Sequence, residues 1–178
     1  MVRVLSTINE FVLKNVFLYI IFFSVTLSSC GFYKFNGIDI PSDVKTYYVD
    51  NFQLTAQNAP GDLNQRFAEA LRAKVRNESR LLYREENADI EFSGTITDFT
   101  LIPEAPQAGN TVALNRFEIR VSVTYTNNVD EAKSWKQTFS FFKTFASDQD
   151  FLSLQESLIN DIFKQIMEDI FNKAFAGW

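Results

Sequence analysis

Cys30 is the single cysteine of the chain, and its surroundings decide which chemistry its thiol can perform. One cysteine alone forms neither an internal disulfide nor a cysteine-based zinc site. The chain also has no histidine, which removes the most common general base and metal ligand. Cys30 follows Leu27, Ser28 and Ser29 at the end of an apolar run. This setting favours covalent modification of the sulfur over catalysis or metal binding.

The segment before Cys30 predicts an export signal. Its first 15 residues carry two basic side chains and one acidic one, and Val16–Leu27 is an uncharged apolar stretch of 12 residues. A helix that spans a bilayer needs about 20 apolar residues, so this stretch fits the apolar core of a signal peptide better. The order Leu-Ser-Ser-Cys resembles a bacterial lipobox, in which small residues admit the signal peptidase and the cysteine receives the lipid.

An alternative interpretation is that Cys30 is a small buried hydrophobe, as free cysteines often are. That interpretation leaves the position of the single thiol unexplained. We therefore predict a lipoprotein signal peptide over residues 1–29 and a mature chain that begins at a lipidated Cys30. Two or more acyl chains, at about 0.8 kcal/mol per buried CH₂, form a stable membrane anchor. Gly31, rather than Asp, at the next position is compatible with delivery to the outer membrane.

The charge of the mature chain limits its partners. Removing residues 1–29 lowers the totals from 17 basic and 22 acidic side chains to 15 and 21, a net charge of −6. This excess argues against nucleic acid as a partner. The remaining 149 residues suit a single domain, residues 30–178.

No pattern of reactive residues predicts an enzyme. A histidine-based triad is impossible, and neither GxGxxG nor a P-loop string is present. The carboxylate pairs Glu85/Glu86 and Asp148/Asp150 lie in a polar turn and at a predicted helix start, where solvation and capping explain them. We therefore expect no catalytic residues, no metal and no cofactor.

The spacing of apolar residues predicts four strands and two helices. The clearest strand is Phe117–Tyr125, in which every second residue is apolar. The other predicted elements are strand Val44–Phe52, a helix that begins at Asp62, strand Ile90–Leu101, a loop over Pro103–Asn110, a strand from Trp135 to Phe145, and a helix from Ser147–Asp150 to Gly177.

The order β-α-β-β-β-α predicts an α+β fold of the α/β sandwich type. A mixed four-stranded sheet would carry both helices on one face and leave the second face open. Gly94, inside a predicted strand, indicates a bulge or a close approach of another chain segment.

Apolar and basic residues on the open face are the candidate binding residues. Beyond Gly94 the pattern places Phe99 and Leu101 on this face, together with Phe142, and we predict that they bind a protein partner. Basic side chains on the same face form a second candidate site: Arg116, Arg120 and Lys136. The arginines of the first helix, Arg66, Arg72, Arg76 and Arg80, allow either a phosphate-binding patch or a solvated helix face. The interleaved acidic residues favour the solvated face.

Three stretches resemble the LptE-type lipoproteins, a lipopolysaccharide-assembly family: CGFYKFNGIDIPSDVKTYYVDNF (Cys30–Phe52), ALNRFEIRVSVTYTN (Ala113–Asn127) and EDIFNKAFAGW (Glu168–Trp178). The resemblance implies a β-α-β-β-β-α sandwich that is anchored in the outer membrane and faces the periplasm. It also implies a position in the lumen of LptD, a large outer-membrane β-barrel, as plug and assembly partner. The family is credited with contacting lipopolysaccharide through basic residues. No motif places those positions in this sequence, and the contacts predicted here are the basic residues of the open face: Arg116, Arg120 and Lys136.

A different binding module remains the alternative. A periplasmic lipoprotein that activates a cell-wall synthase or captures a small lipid would have the same signal peptide and lipid anchor. Such a module would contain a closed apolar cavity rather than an open sheet face.

Overall fold

A computed structural model describes residues 40–104 and 113–176 of the 178-residue chain. The predicted signal peptide, Cys30 and most of the predicted Pro103–Asn110 loop lie outside these residues. In chain order the described strands and helices are β1 (Thr46–Val49), β2 (Gln53–Leu54), α1 (Leu63–Glu78), β3 (Leu82–Tyr83), β4 (Ile90–Glu104), β5 (Leu114–Asn127), β6 (Trp135–Ala146) and α2 (Phe151–Phe175).

The strands form one mixed sheet in the order β3-β1-β4-β5-β6, and β2 also pairs with β4. The pairs β1–β3, β1–β4 and β2–β4 are parallel. The long strands β4, β5 and β6 pair antiparallel through almost their full length. The sheet is therefore mixed, as predicted, although it has two more short strands than the four expected.

Both helices pack on one face of the sheet. The buried residues of α1 and α2 form one cluster with the apolar residues of the strands. Phe67 of α1 meets Phe163 of α2 edge to face, with ring centroids 5.1 Å apart. The predicted two-layer α+β sandwich is confirmed. Neither described helix is long and apolar enough to cross a membrane.

The predicted first strand, Val44–Phe52, is in fact two strands. Val49 pairs with Phe92 of β4, and Gln53 pairs with Thr95. Four residue steps on one side thus match three on the other, and the extra residue breaks the ladder between β1 and β2. The break turns Phe52 into the core, where its ring packs 4.7 Å from that of Phe67.

Strand β4 continues further than predicted. Pro103 and Glu104 still pair with β5, so the predicted loop starts later than Pro103. A proline cannot donate a ladder hydrogen bond, but it is tolerated at an edge. Among the described residues, no strand borders the other side of β4 beyond Ile96, which leaves that edge free at Pro103.

Gly94 lies at a close approach, as predicted. A β-carbon built there would stand 2.2 Å from the backbone oxygen of Ser122 and 2.7 Å from the Phe52 ring. The bulge of β4 lies further along, between Ile96 and Asp98. These are two separate features, and the bulge has the larger effect on the candidate site.

Candidate functional site

The face of the sheet that points away from the helices is the candidate site, and we call it the open face. In an antiparallel pair, residues directly opposite each other share a face, so the ladder registers assign its members. They include Glu91, Ser93, Thr95, Asp98, Thr100 and Ile102 of β4, Arg116, Glu118, Arg120, Ser122, Thr124 and Thr126 of β5, and Lys136, Thr138, Ser140, Phe142 and Thr144 of β6.

A charged row crosses the middle of the open face. Glu118 is only 9% exposed and accepts a hydrogen bond from an arginine on each side. Arg116 Nη2 lies 2.9 Å from Glu118 Oε2, and Arg120 Nη2 lies 2.9 Å from Glu118 Oε1. Asp98 Oδ2 lies 3.6 Å from Arg120 Nη1. The two positive charges are thus balanced by two carboxylates, and the row is a rigid polar platform with no net charge.

An apolar patch lies at the end of this row. The Arg116 guanidinium carbon lies 3.6 Å from the centre of the Phe142 ring, a close cation–π contact. Exposed Ile102 lies directly opposite Arg116 on β4. Arg116 Nε has no hydrogen-bond partner among the described residues. We call Ile102, Arg116 and Phe142 the Phe142 patch; exposed apolar side chains beside an aromatic–arginine pair are typical of a protein-binding surface.

The structure confirms the predicted face for Phe142 and contradicts it for Phe99 and Leu101. Phe99 lies opposite Ile119 and Leu101 lies opposite Phe117. Both of these β5 partners belong to the helix-covered face. Phe99 is buried there. The bulge between Ile96 and Asp98 is the reason, because one extra residue reverses the alternation of every later side chain.

Ile102 is an apolar open-face residue that the sequence does not predict, because the predicted strand ends at Leu101. After the bulge, the register between β4 and β5 pairs Ile102, rather than its neighbour Leu101, with Arg116. The available sequence signal was an apolar residue directly before a proline, which is compatible with an edge strand.

The three predicted basic residues do not form one cluster. Arg116 and Arg120 meet around Glu118, whereas Lys136 lies opposite Thr124, four residues further along β5. Four residues in a strand span about 13 Å. Lipopolysaccharide contact by these residues therefore stays a prediction, and it would rest on paired arginines and a separate lysine.

A cavity opens at one end of the sandwich, apart from the open face. This cavity of about 410 Å³ is lined by Asn127, Lys133 and Lys173 as well as by the stacked rings of Tyr125 and Trp135. Its lining is mixed, unlike the closed apolar cavity expected of a lipid-capturing module. In the described ranges, no group of three cysteine or carboxylate side chains is placed to hold a metal ion.

Comparison with known proteins places the chain in a family. A sequence model described as LptE, lipopolysaccharide-assembly, matches residues 44–174, which is most of the chain. No curated protein matches the sequence.

Solved structures of similar fold have low sequence identity to the chain. A Helicobacter pylori structure, a putative neuraminyllactose-binding hemagglutinin homologue, matches with a TM-score of 0.50 and 9% identity over 79% of this chain and 88% of that one. A minor lipoprotein of Acinetobacter baumannii matches with a TM-score of 0.43 and 12% identity, over 74% and 96% of the two chains. These likenesses concern the fold alone. The family match covers β1 through nearly all of α2, so the chain belongs to the LptE lipopolysaccharide-assembly family.

Proposed function

We propose that this chain is a lipid-anchored outer-membrane lipoprotein that binds an LptD-like β-barrel. It would act as the plug and assembly partner of that barrel while lipopolysaccharide moves to the outer leaflet. Membership of the LptE family supports the lipopolysaccharide-assembly role. Lipidation at Cys30 would hold the domain at the periplasmic side of the membrane that contains the barrel.

The open face carries the proposal, because it combines a rigid polar row with an exposed apolar patch. Glu118 fixes Arg116 and Arg120, so little side-chain entropy is lost when a partner covers them. Phe142 and Ile102 supply apolar surface that a partner can bury. This combination suits a protein surface, and it needs no catalytic group.

Lipopolysaccharide is the second proposed partner. A phosphate that approaches Arg116 or Arg120 must compete with Glu118, which already binds both guanidinium groups. Lys136 offers a single charge at a distance from them. Any contact with lipopolysaccharide at these residues is therefore local, in agreement with the net charge of −6 for the mature chain.

The alternative of a lipid-capturing or synthase-activating module is not favoured. Lipid capture would need a closed apolar cavity, and the cavity at the end of the sandwich has lysine and asparagine in its wall. The family match points to lipopolysaccharide assembly instead.

Changing Phe142 to arginine is expected to reduce capture of the barrel at least tenfold. The substitution puts a second positive charge beside Arg116 and removes the ring that a partner would bury, and about 1.4 kcal/mol suffices for a tenfold change. The measurement is affinity capture of the tagged full chain from outer membranes of its own host, with mass spectrometry of the captured proteins. Ile102→Arg is expected to have the same effect.

Leu101→Arg is the matched control. Leu101 is 43% exposed and Phe142 is 42% exposed, but the two lie on opposite faces of the sheet. We expect Leu101→Arg to capture the barrel as the unchanged chain does. Equal capture by all three variants would refute the docking surface, and absence of any barrel from the unchanged chain would refute the proposed function.

A further inference from the structure

The outermost strand at the far edge of the sheet, β3, exposes apolar and aromatic side chains. Leu82 is 71% exposed, and the ring of Tyr83 is also accessible to solvent. Tyr83 contacts the rings of Tyr47 and Tyr48 on β1, with centroids 5.6 and 6.1 Å away. The edge is therefore a small aromatic cluster with a leucine beside it.

Basic side chains lie near this cluster, and so does the Asp89 carboxylate, which accepts from the backbone N–H groups of Lys45 and Thr46. The Arg72 guanidinium lies 5.7 Å from the centre of the Tyr83 ring. The backbone N–H groups of Leu82 and Arg84 donate to the carbonyls of Lys45 and Tyr47, so Lys45 and Arg84 also lie at this edge. Burial raises the pKa of the Tyr47 hydroxyl, while the nearby charges of Arg76 and Arg72 act in the opposite direction.

These cations differ from most of the other basic residues of the domain. Six of the nine cations elsewhere in the described part of the chain lie within 4 Å of a carboxylate: Arg66, Lys74, Arg116, Arg120, Lys133 and Lys143. Within those same residues the cations at the edge make no ion pair of this kind: Lys45, Arg72, Arg76, Arg80 and Arg84. Arg72 and Arg80 donate to the backbone carbonyls of Val49 and Ile40, which are neutral acceptors, so no carboxylate within 4 Å balances the positive charge of these side chains.

The described chain starts at this same edge. Arg80 Nη2 donates to the carbonyl oxygen of Ile40 at 2.7 Å, so an arginine of the basic group holds the first described residue. Cys30 precedes Ile40 by ten residues, which reach at most about 36 Å when fully extended. The edge therefore lies within reach of the membrane that would hold the anchor.

We propose that this edge, which we call the β3 edge (Lys45, Arg72, Arg76, Leu82, Tyr83 and Arg84), docks on the anionic headgroups of the membrane leaflet that carries the lipid anchor. This inference rests on the proposed lipidation of Cys30.

Each component of the β3 edge has a counterpart in the bilayer surface. Leu82 would enter the acyl boundary and Tyr83 would lie at headgroup level, where aromatic residues are favoured. Arginine and lysine side chains would pair with lipid phosphates. The acyl chains and the β3 edge would together hold the domain at two points and limit its rotation on the membrane.

An environment-sensitive fluorophore tests the docking directly. A lipidated chain with Leu82→Cys has one free thiol, which takes the NBD fluorophore. The labelled protein is reconstituted into vesicles of phosphatidylcholine alone or with one third phosphatidylglycerol. We expect a blue-shifted, brighter emission in the anionic vesicles only, and its loss at high salt. Leu152→Cys, at a leucine that is 75% exposed at the start of α2, is the matched control and should report no change.

Neutral substitutions test the role of the arginines. Arg76→Gln combined with Arg84→Gln is expected to lower the ratio of docked to undocked domain about 30-fold. The same loss of charge at Lys143 and Lys164 should leave the signal at position 82 unchanged.

The results separate this inference from the proposed function. An acyl mass on Cys30 combined with equal emission in both vesicle types would overturn docking alone, as would an equal shift at position 152. A change at position 82 that requires the captured barrel rather than anionic lipid would also overturn it, because the edge would then bind protein. Absence of the acyl mass would instead refute the anchor itself.

Discussion

Replacing Gly94 by alanine is expected to lower the free energy of unfolding by about 2–3 kcal/mol. The added methyl group would stand 2.2 Å from the backbone oxygen of Ser122 and 2.7 Å from Cε1 of Phe52. Neither neighbour can move away cheaply. Ser122 belongs to β5, which is paired with a long strand on each side, and the Phe52 ring is buried against Phe67 of α1. Urea denaturation of the purified chain measures the change.

Gly61→Ala is the matched control for this substitution. Apart from its chain neighbours, a β-carbon at Gly61 meets no atom within 4 Å, so the same chemical change should leave stability within about 0.5 kcal/mol of the original. If Gly94→Ala unfolds at the same urea concentration as Gly61→Ala, the close approach of Phe52, Gly94 and Ser122 is not a constraint on the fold.

Changing Cys30 to serine is expected to remove the mature chain from the outer membrane almost completely. A thiolate is the nucleophile that forms a thioether, and a serine hydroxyl is not acidic enough to replace it. Without acyl chains the anchoring of about 0.8 kcal/mol per buried CH₂ is lost. Membrane fractionation with quantitative immunoblotting measures the change, and we expect a fall of more than tenfold.

Ser29→Ala provides the control for Cys30→Ser, because it keeps a small residue before the cysteine and leaves the sulfur in place. Its chain should reach the outer membrane at the original level, with an intact mass that begins at residue 30 and includes the acyl chains. Cys30→Ser protein that remained in the outer membrane in full amount would contradict lipid anchoring.

Regular elements of the fold were predictable because their apolar periodicity is local. Strand β5 alternates without interruption from Phe117 to Tyr125, and the structure buries those same apolar residues. The stripe of α2 likewise buries Ile162, Ile166 and Ile170. Two helices with one apolar face each must cover a sheet, so the two-layer arrangement followed from the same pattern.

The wrong faces predicted for Phe99 and Leu101, and the unpredicted strand β3, arise where pairing between distant segments overrides the local pattern. The bulge between Ile96 and Asp98 has no strong sequence signal, yet it moves Phe99 and Leu101 to the helix-covered face. Strand β3 has only two residues, and it forms because Leu82 and Tyr83 meet β1 rather than because of their own alternation. Neither feature can be read from one segment alone.

The charge balance of the open face was partly visible in the sequence. Arg116, Glu118 and Arg120 alternate along a predicted strand, so all three had to share one face. That spacing indicates mutual pairing, which the structure shows at 2.9 Å on both sides of Glu118. The contact between Arg116 and Phe142 was not predictable, because it depends on the register between β5 and β6.

A photocrosslinking residue placed at position 142 of the full chain, in cells of its own host, tests most directly whether the open face binds the barrel. The same residue at position 164, on α2 in the helix layer, is the control. The proposed function predicts an adduct between position 142 and a large outer-membrane β-barrel, and none at position 164. A barrel adduct at position 164 with none at position 142 would show that the barrel binds the helix layer instead, and would contradict the docking surface proposed for this chain.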